Sequence, residues 1–367
     1  MRVASLELID FRCYEAAHLD LPEGVTVIRG DNGQGKTSLL EAIGWVATAR
    51  SFRGVPDSAL VRDGTESAVV RAEVQHGERH RLVEAELRVG GRNRVLVDRH
   101  PLPRARELLG VLRATVFAPD DLRVVKGGPA ERRGYLDDLL VAVAPRYEAT
   151  RADYERVLRH RNALLRSGVR DDDARTTLDV FDQQLIDAGT DLVRGRVRLV
   201  ERLVPALTGA YAGLAGDETA IDACYQVEWA EGATPLPDSV PALLRAALAA
   251  HRRQELDRGV TLVGPHRDDW RLTIDGLDSR THASQGEQRT LALALRLAGH
   301  RVCADVVGAQ PVLLLDDVFS ELDEHRATAL VGCLPLTQTL LTTAGEVPPG
   351  VQPAQQLRVV DGRLESG

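Results

Sequence analysis

Apolar and polar residues alternate with period two from Val3 to Ile9, the pattern of a strand with one buried face. A second strand leads into Val25-Thr26-Val27-Ile28, a β-branched run suited to a buried strand, and Ser38-Leu39-Leu40-Glu41-Ala42-Ile43 begins a helix. Further strands are predicted near Ala68–Val74, Arg81–Val89 and Arg94–Val97, with Gly90-Gly91-Arg92-Asn93 as a hairpin turn. From about Pro129 to Leu214 the period lengthens to that of helices rich in Arg and Asp. Arg170-Asp171-Asp172-Asp173 reads as a polar break or cap between two of them, and all are too short for an extended coiled coil. Strand character returns near Cys224–Trp229. A Pro/Gly-rich linker follows at Gly232–Pro241, then a helix from Val240 toward Leu256. From Val260 the order strand, helix, strand, helix, strand runs to the end. The pattern predicts an α/β domain split in sequence, 1–118 and 258–367, interrupted by a mainly helical insertion, 119–257.

Composition narrows the class. The chain of 367 residues is 44% hydrophobic and 27% charged, an ordinary globular balance with room for two or three cores. No apolar run reaches membrane-span length: Val312-Leu313-Leu314-Leu315 stops at Asp316. Met1–Glu7 lacks the apolar core of a signal peptide. Cys13, Cys224, Cys303 and Cys333 show no paired metal-ligand spacing, so buried thiols in a reducing cytoplasm are expected. The net charge of -8 argues against a wholesale nucleic-acid coat but leaves room for a local basic face. Lys36 and Lys126 are the only lysines in an arginine-rich chain, a bias that a GC-rich coding sequence would produce.

Lys36 sits in the strongest motif. Gly30-Asp31-Asn32-Gly33-Gln34-Gly35-Lys36-Thr37 reads G-x-x-x-x-G-K-T between the predicted strand and helix, the context a phosphate-cradling loop requires. Its backbone N–H groups and the positive helix end would surround a polyphosphate. Gly33 and Gly35 permit close approach, Lys36 would reach the β- and γ-phosphates of ATP, and Thr37 offers a hydroxyl to Mg²⁺. The strand Pro311-Val312-Leu313-Leu314-Leu315 ends in Asp316 and Asp317. Asp316 would orient the magnesium shell, and Asp317, one residue on, could polarise the attacking water as a general base. A buried strand ending in a helix cap would look the same, and the loop at Gly30 tips the balance. Ser284-Gln285-Gly286-Glu287-Gln288 precedes a predicted helix. It fits either a phosphate-binding helix N-terminus or an ordinary capping box from Ser284 to Glu287, and the residues leave both open.

These pieces carry a resemblance. Leu315-Asp316-Asp317-Val318-Phe319-Ser320-Glu321-Leu322-Asp323 resembles the carboxylate strand and following loop of ABC-type ATPases, and Ser284–Gln288 is similar to their signature motif, although transporters carry L-S-G-G-Q. The stretch from Pro119 to Asp137 resembles an internal signature of the RecF family. So do Phe11-Arg12 with Tyr14, Leu40-Glu41-Ala42, Ser51-Phe52-Arg53, Gly264-Pro265-His266-Arg267-Asp268-Asp269 and the segment Asp317–Leu330. The resemblance runs from residue 3 to about residue 343. It implies an ABC-type, Rad50-like ATPase head with an inserted helical domain and no long coiled coil.

What the resemblance implies for function is an ATP-dependent DNA-binding protein of recombinational repair and replication-fork maintenance. Two ATP molecules would lie between two heads of a homodimer, with Ser284, Gln285, Gly286 and Glu287 reaching the nucleotide of the other subunit. A slow, DNA-stimulated ATPase would act as a switch, since Thr343 stands where transporter ATPases place a histidine. Gapped DNA with single-strand–double-strand junctions, RecR, RecO and RecA are the implied partners. A transporter's nucleotide-binding subunit and an SMC-type structural head are the alternatives. Arg132 and Arg133 read as a solvated helical face, and His266 as a turn histidine. Arg159, Arg161, Arg194, Arg196 and Arg198 are expected mostly at the surface.

Overall fold

The computed structural model describes the chain apart from residues 170, 217–218, 231–235, 335–336 and 367, and apart from the side chains of Glu321 and Ser366. Much of the expected linker at 232–241, and Arg170 in the polar break, therefore lie outside the described residues. Two compact units emerge, one from Met1–Asp121, Ala212–Asp217 and Leu293–Gly367, the other from Leu122–Tyr211 and Glu218–Ala292. Residues 258–292 thus group with the second unit.

The elements of the N-terminal part are β1 (Arg2–Phe11), β2 (Tyr14–Asp20), β3 (Val25–Arg29), α1 (Lys36–Thr48), β4 (Ser67–His76), β5 (Arg79–Arg88), β6 (Arg94–Val97), β7 (His100–Pro101) and β8 (Ala114–Phe117). Next come α2 (Leu122–Lys126), α3 (Pro129–Val143), α4 (Arg146–Ser167), α5 (Asp172–Ala215), β9 (Ile221–Gln226), α6 (Val240–Arg258), β10 (Asp269–Ile274) and β11 (Leu277–Asp278). The chain closes with α7 (Gln285–Val307), β12 (Val312–Asp316), α8 (Glu324–Gly332), β13 (Thr339–Thr343), β14 (Pro353–Val360) and β15 (Arg363–Ser366).

In the first unit an antiparallel sheet of order β2-β1-β4-β5-β6-β7 faces a second sheet of order β15-β14-β3-β13-β12-β8. Strands β14, β3, β13, β12 and β8 are parallel, and β15 is an antiparallel edge. Helix α1 is buried nearly all round, so it packs between the sheets, touching β1 and β4 on one side and β8, β12 and β13 on the other. Leu39, Ile43 and Val46 of α1 join Leu6, Val70, Leu314 and Leu340 in one core. The central strands β12 and β13 are buried throughout, as a covered parallel sheet requires. Gln338 ties the sheets together: its side-chain amide takes the Val3 N–H at 2.7 Å and gives a proton to the Val3 carbonyl at 2.7 Å. The pairing of β1 with β2 starts only at Ser5, so Val3 has no partner in β2.

The second unit holds the long helices and a small antiparallel sheet, β11-β10-β9. At 44 residues, α5 exceeds what the sequence pattern suggested, and Asp171 caps its start by accepting the Ala174 N–H at 2.7 Å. Beyond β13 the chain adds two more strands, β14 and β15, so more strands close the chain than the expected order held. Among the described residues no helix is long and apolar enough to cross a membrane.

Several arginines read as surface are buried ion-pair anchors. Arg161 of α4 is fully buried and donates to Asp182 at 2.7 Å, Glu255 at 2.5 Å and Thr261 at 2.8 Å. Arg196 of α5 grips both oxygens of Asp137 at 2.8 Å and donates to the Pro265 carbonyl. Arg132 makes the same two-pronged contact with Asp269, at 2.8 and 2.9 Å, while Arg133 donates to the Asp268 carbonyl. The helical pattern missed these because each carboxylate arrives from a distant element. Arg159 and Arg198 are exposed, as expected. The cysteine reading also needs correction: none of the four cysteines forms a disulfide, but only Cys303 is buried and Cys13 is exposed.

Candidate functional site

The strand order β3-β13-β12 explains the site. Parallel strands put their C-terminal ends on one edge, where open α/β sheets receive ligands. The phosphate-loop pattern follows β3, Asp316 and Asp317 end β12, and β13 lies between with Asp316 paired in register to Thr342 and Thr342 to Ile28.

The loop wraps the start of α1. Gly35 has φ 115°, and a Cβ there would lie 2.5 Å from Cys13 Sγ and 2.9 Å from the Tyr14 hydroxyl, so glycine is required. Lys36 Nζ folds back to the carbonyls of Gly30 at 2.6 Å and Asp31 at 2.9 Å, which shapes the loop around its own cation. Asn32, Gly33, Lys36 and Thr37 line a cleft of about 490 Å³, within the usual size of a ligand site. Gln34 turns away. Its side-chain oxygen accepts the Asp361 N–H at 2.5 Å and its carbonyl accepts the Gly362 N–H at 3.3 Å, so the β14–β15 turn braces the loop from outside.

Across the cleft, Thr37 Oγ1 lies 2.8 Å from Asp316 Oδ1 and 3.0 Å from Oδ2. Thr342 Oγ1 donates to Asp316 Oδ1 at 2.9 Å. Burial holds the Asp316 carboxyl above its ordinary value, a shift that both hydroxyls oppose, that neighbouring Asp317 adds to and that Arg53 opposes. Asp317 adopts the left-handed conformation at φ 52° and ψ 27°. Its Oδ1 is buried without a hydrogen-bond partner among the described residues. One hydroxyl and two carboxylates facing a cationic loop suit Mg²⁺, which keeps several waters and takes its remaining ligands from phosphates. No denser cluster of metal-ligating side chains occurs among the described residues.

Two cations at the cleft were absent from the site read in the sequence. Arg12 and Arg53 both line it. Glu41 of α1, fully buried, accepts from Arg12 Nε at 2.9 Å and Nη2 at 2.8 Å and from Ser51 Oγ at 2.5 Å, and Ser51 Oγ accepts the Arg53 N–H at 3.1 Å. Phe11-Arg12, Leu40-Glu41-Ala42 and Ser51-Phe52-Arg53, separate fragments in the sequence, therefore converge on one buried carboxylate. Glu41 balances the charge of Arg12, so Lys36 and Arg53 are the cations of the cleft not held by a carboxylate of that cluster, and they share its lining with Asp316 and Asp317.

Ser284–Gln288 lies in the second unit, at the start of α7. Ser284 N donates to Glu287 Oε2 at 2.7 Å and Glu287 N donates to Ser284 Oγ at 3.3 Å, a reciprocal capping box. Ser284 and Gln285 are exposed, while Gln288 is buried and donates to the carbonyls of Ser279 and Arg280.

This fold and this loop–carboxylate pairing define an ABC-type ATPase head of the SMC kind. The RecF/RecN/SMC N-terminal domain family matches residues 2–343. The chain is 48% identical over 362 residues to the DNA replication and repair protein RecF of Frankia alni, covering 94% of each. It is 43% identical over 374 residues to the RecF of Streptomyces avermitilis, covering 100% of both. The chain belongs to the RecF family. It is similar over 100% of its length to 97% of a solved structure of the recombination mediator protein RecF with ATP in the RecFOR pathway, with a TM-score of 0.91 and 30% identity. A solved SMC head, 17% identical with a TM-score of 0.59 over 100% of this chain and 97% of that one, shares the fold.

Proposed function

We propose that the chain is an ATP-dependent DNA-binding protein of recombinational repair and replication, in which ATP closes two heads around DNA. The observation that carries this is the meeting of the glycine loop with Asp316 and Asp317 in one cleft lined by Lys36, Arg12 and Arg53.

In this reading Lys36 and the loop N–H groups hold the β- and γ-phosphates, and Thr37 and Asp316 hold Mg²⁺. When bound, the ion neutralises charge on the phosphate oxygens. Asp317, which lines the same cleft one residue beyond Asp316, accepts a proton from the attacking water. The exposed start of α7, with Ser284, Gln285, Gly286 and Glu287, caps the γ-phosphate of a second copy, so two cleft halves assemble only in a dimer. Hydrolysis is slow and reopens the clamp, which makes ATP a timer. The RecFOR pathway of the solved RecF structure supports RecO and RecR as partners, and the proposal adds gapped DNA as substrate and RecA loading as the outcome. The RecF relatives favour this over an SMC-type structural head or a transporter subunit.

A salt-titrated gel shift with gapped duplex tests the reading. ATP with Mg²⁺ should strengthen binding and drive self-association, and the binding should weaken steeply with salt as phosphate contacts are lost. Equal DNA binding with and without nucleotide would remove the clamp.

A further inference from the structure

Thr342 is fully buried on β13, between the strand that leads into the glycine loop and the strand that ends in the two carboxylates. Its single hydroxyl is used in both directions. It donates to Asp316 Oδ1 at 2.9 Å and accepts the Asp317 backbone N–H, also at 2.9 Å. The Leu315 carbonyl, 3.4 Å away, is the weaker acceptor. One side chain thus touches both residues of the pair.

That double contact bears on how Asp317 stays where it is. A left-handed backbone is costly for a residue other than glycine and persists only where neighbours fix it. The Asp317 peptide is fixed on both sides, by its N–H on Thr342 and by its carbonyl, which accepts Ser320 Oγ at 2.7 Å. The conformation places Asp317 in the lining of the cleft beside Asp316, and its Oδ1 has no hydrogen-bond partner among the described residues. Thr343, which replaces the switch histidine of transporter ATPases, is occupied elsewhere: its hydroxyl accepts the Gly345 N–H at 3.1 Å.

We propose that Thr342 is the positioning residue of the hydrolytic step, its hydroxyl fixing the Asp317 backbone, while Asp316 is held mainly by Thr37. The proposal rests on the reading of Asp317 as proton acceptor given above. Substituting valine keeps the buried methyl group and the side-chain shape but leaves the Asp317 N–H without this acceptor and loosens the peptide. Asp316 keeps its contacts with Thr37. Nucleotide affinity and hydrolysis should therefore separate, because only the geometry of the reacting water depends on Asp317.

The test compares full-length parent, Thr342→Val and Thr342→Ser for Mg–ATP affinity and for single-turnover ATP hydrolysis. The valine variant should bind Mg–ATP within roughly twofold of the parent and hydrolyse it roughly 10- to 100-fold more slowly. Serine, which keeps the hydroxyl, should restore the rate to within roughly threefold. Parental hydrolysis by the valine variant would overturn the role of Thr342 alone. Joint loss of affinity and rate, with no rescue by serine, would also overturn it, by reducing Thr342 to a structural contact. A parent that binds no ATP would instead bring down the proposed function, and this proposal with it.

Discussion

Thr37 Oγ1 lies 2.8 Å from Asp316 Oδ1 although 279 positions separate the two residues. The contact closes the cleft because β13 spaces β3 from β12 by one strand, bringing the two C-terminal ends to the same edge. A threonine hydroxyl that donates to a carboxylate keeps its lone pairs for a cation, which suits the pair to the Mg²⁺ role proposed for it. The neighbouring residues can then be assigned separate jobs, and those jobs are separable by substitution.

Lys36→Met removes the one cation held inside the loop and leaves the Gly30 and Asp31 carbonyls without their donor. A charge-assisted contact of this kind is worth about 1.5–3 kcal/mol, so ATP affinity should fall roughly 10- to 100-fold. Fluorescent-nucleotide titration measures it. ATP-driven dimerisation at the parental nucleotide concentration by this variant would show that the loop does not hold the triphosphate through its lysine.

Asp317→Asn keeps size and backbone but removes the proposed proton acceptor. ATP binding and ATP-dependent self-association should persist while turnover falls by roughly 10²- to 10⁴-fold, leaving a long-lived closed dimer. Size-exclusion chromatography with ATP, run beside a phosphate-release assay, reads both quantities. Rapid phosphate release by the asparagine variant would end the assignment of Asp317 as base.

The sequence made the cleft legible because its chemistry is local: eight consecutive residues form the loop and two adjacent carboxylates end an apolar strand. The supporting cast was not. Arg12, Glu41, Ser51 and Arg53 are four isolated letters until the fold gathers them, and only their place in family-like fragments hinted at a common purpose. Thr342 was passed over for Thr343, since alternation along a strand does not say which hydroxyl faces a neighbour strand's carboxylate. In the helical unit, 3.6-residue periodicity marks arginines as polar. It cannot foresee that Arg196 meets Asp137 or that Arg132 meets Asp269. The closing strands β14 and β15 escaped because edge strands with alternating burial carry a weak apolar signal.

His266 supplies a pH signature. Its Nδ1 lies 2.6 Å from the Tyr154 hydroxyl and its Nε2 lies 3.2 Å from the Thr261 carbonyl, so the folded protein holds a neutral ring with Nε2–H donating. Burial pushes its pKa from 6.5 down to about 4, against the opposing pull of the Thr261 carbonyl and with help from nearby arginines. Between those values the unfolded chain binds more protons than the folded one. The stabilisation is therefore present above 6.5 and lost as pH falls toward 4, by up to about 3 kcal/mol. Asp268 works the other way, because burial raises its pKa from 3.8 to about 6 and the folded state takes up the proton first. Comparing the parent with His266→Phe cancels the Asp268 contribution. In urea titrations from pH 7 to pH 4 the parent's advantage should shrink with acidification, and a pH-independent difference would contradict the neutral-ring assignment.

Arg161 and Glu255 are both fully buried, 2.5 Å apart, in the helical unit. Desolvating two charges costs several kcal/mol, and further hydrogen bonds to both partners offset it. Asp182 accepts from Arg161 Nε and Thr261 from Nη1, and Glu255 Oε1 accepts the Leu262 N–H at 2.7 Å. Arg161→Met should cost about 3–5 kcal/mol, because it strands a buried carboxylate. Adding Glu255→Gln should recover part of that loss: the amide oxygen still accepts from Leu262, and the uncompensated charge is gone. Neither change touches the nucleotide cleft, so ATP affinity of the folded fraction should stay parental. Denaturation midpoints of the parent, the single and the double variant measure the recovery. A double variant less stable than Arg161→Met would mean that the charge of Glu255 is held mainly by groups other than Arg161.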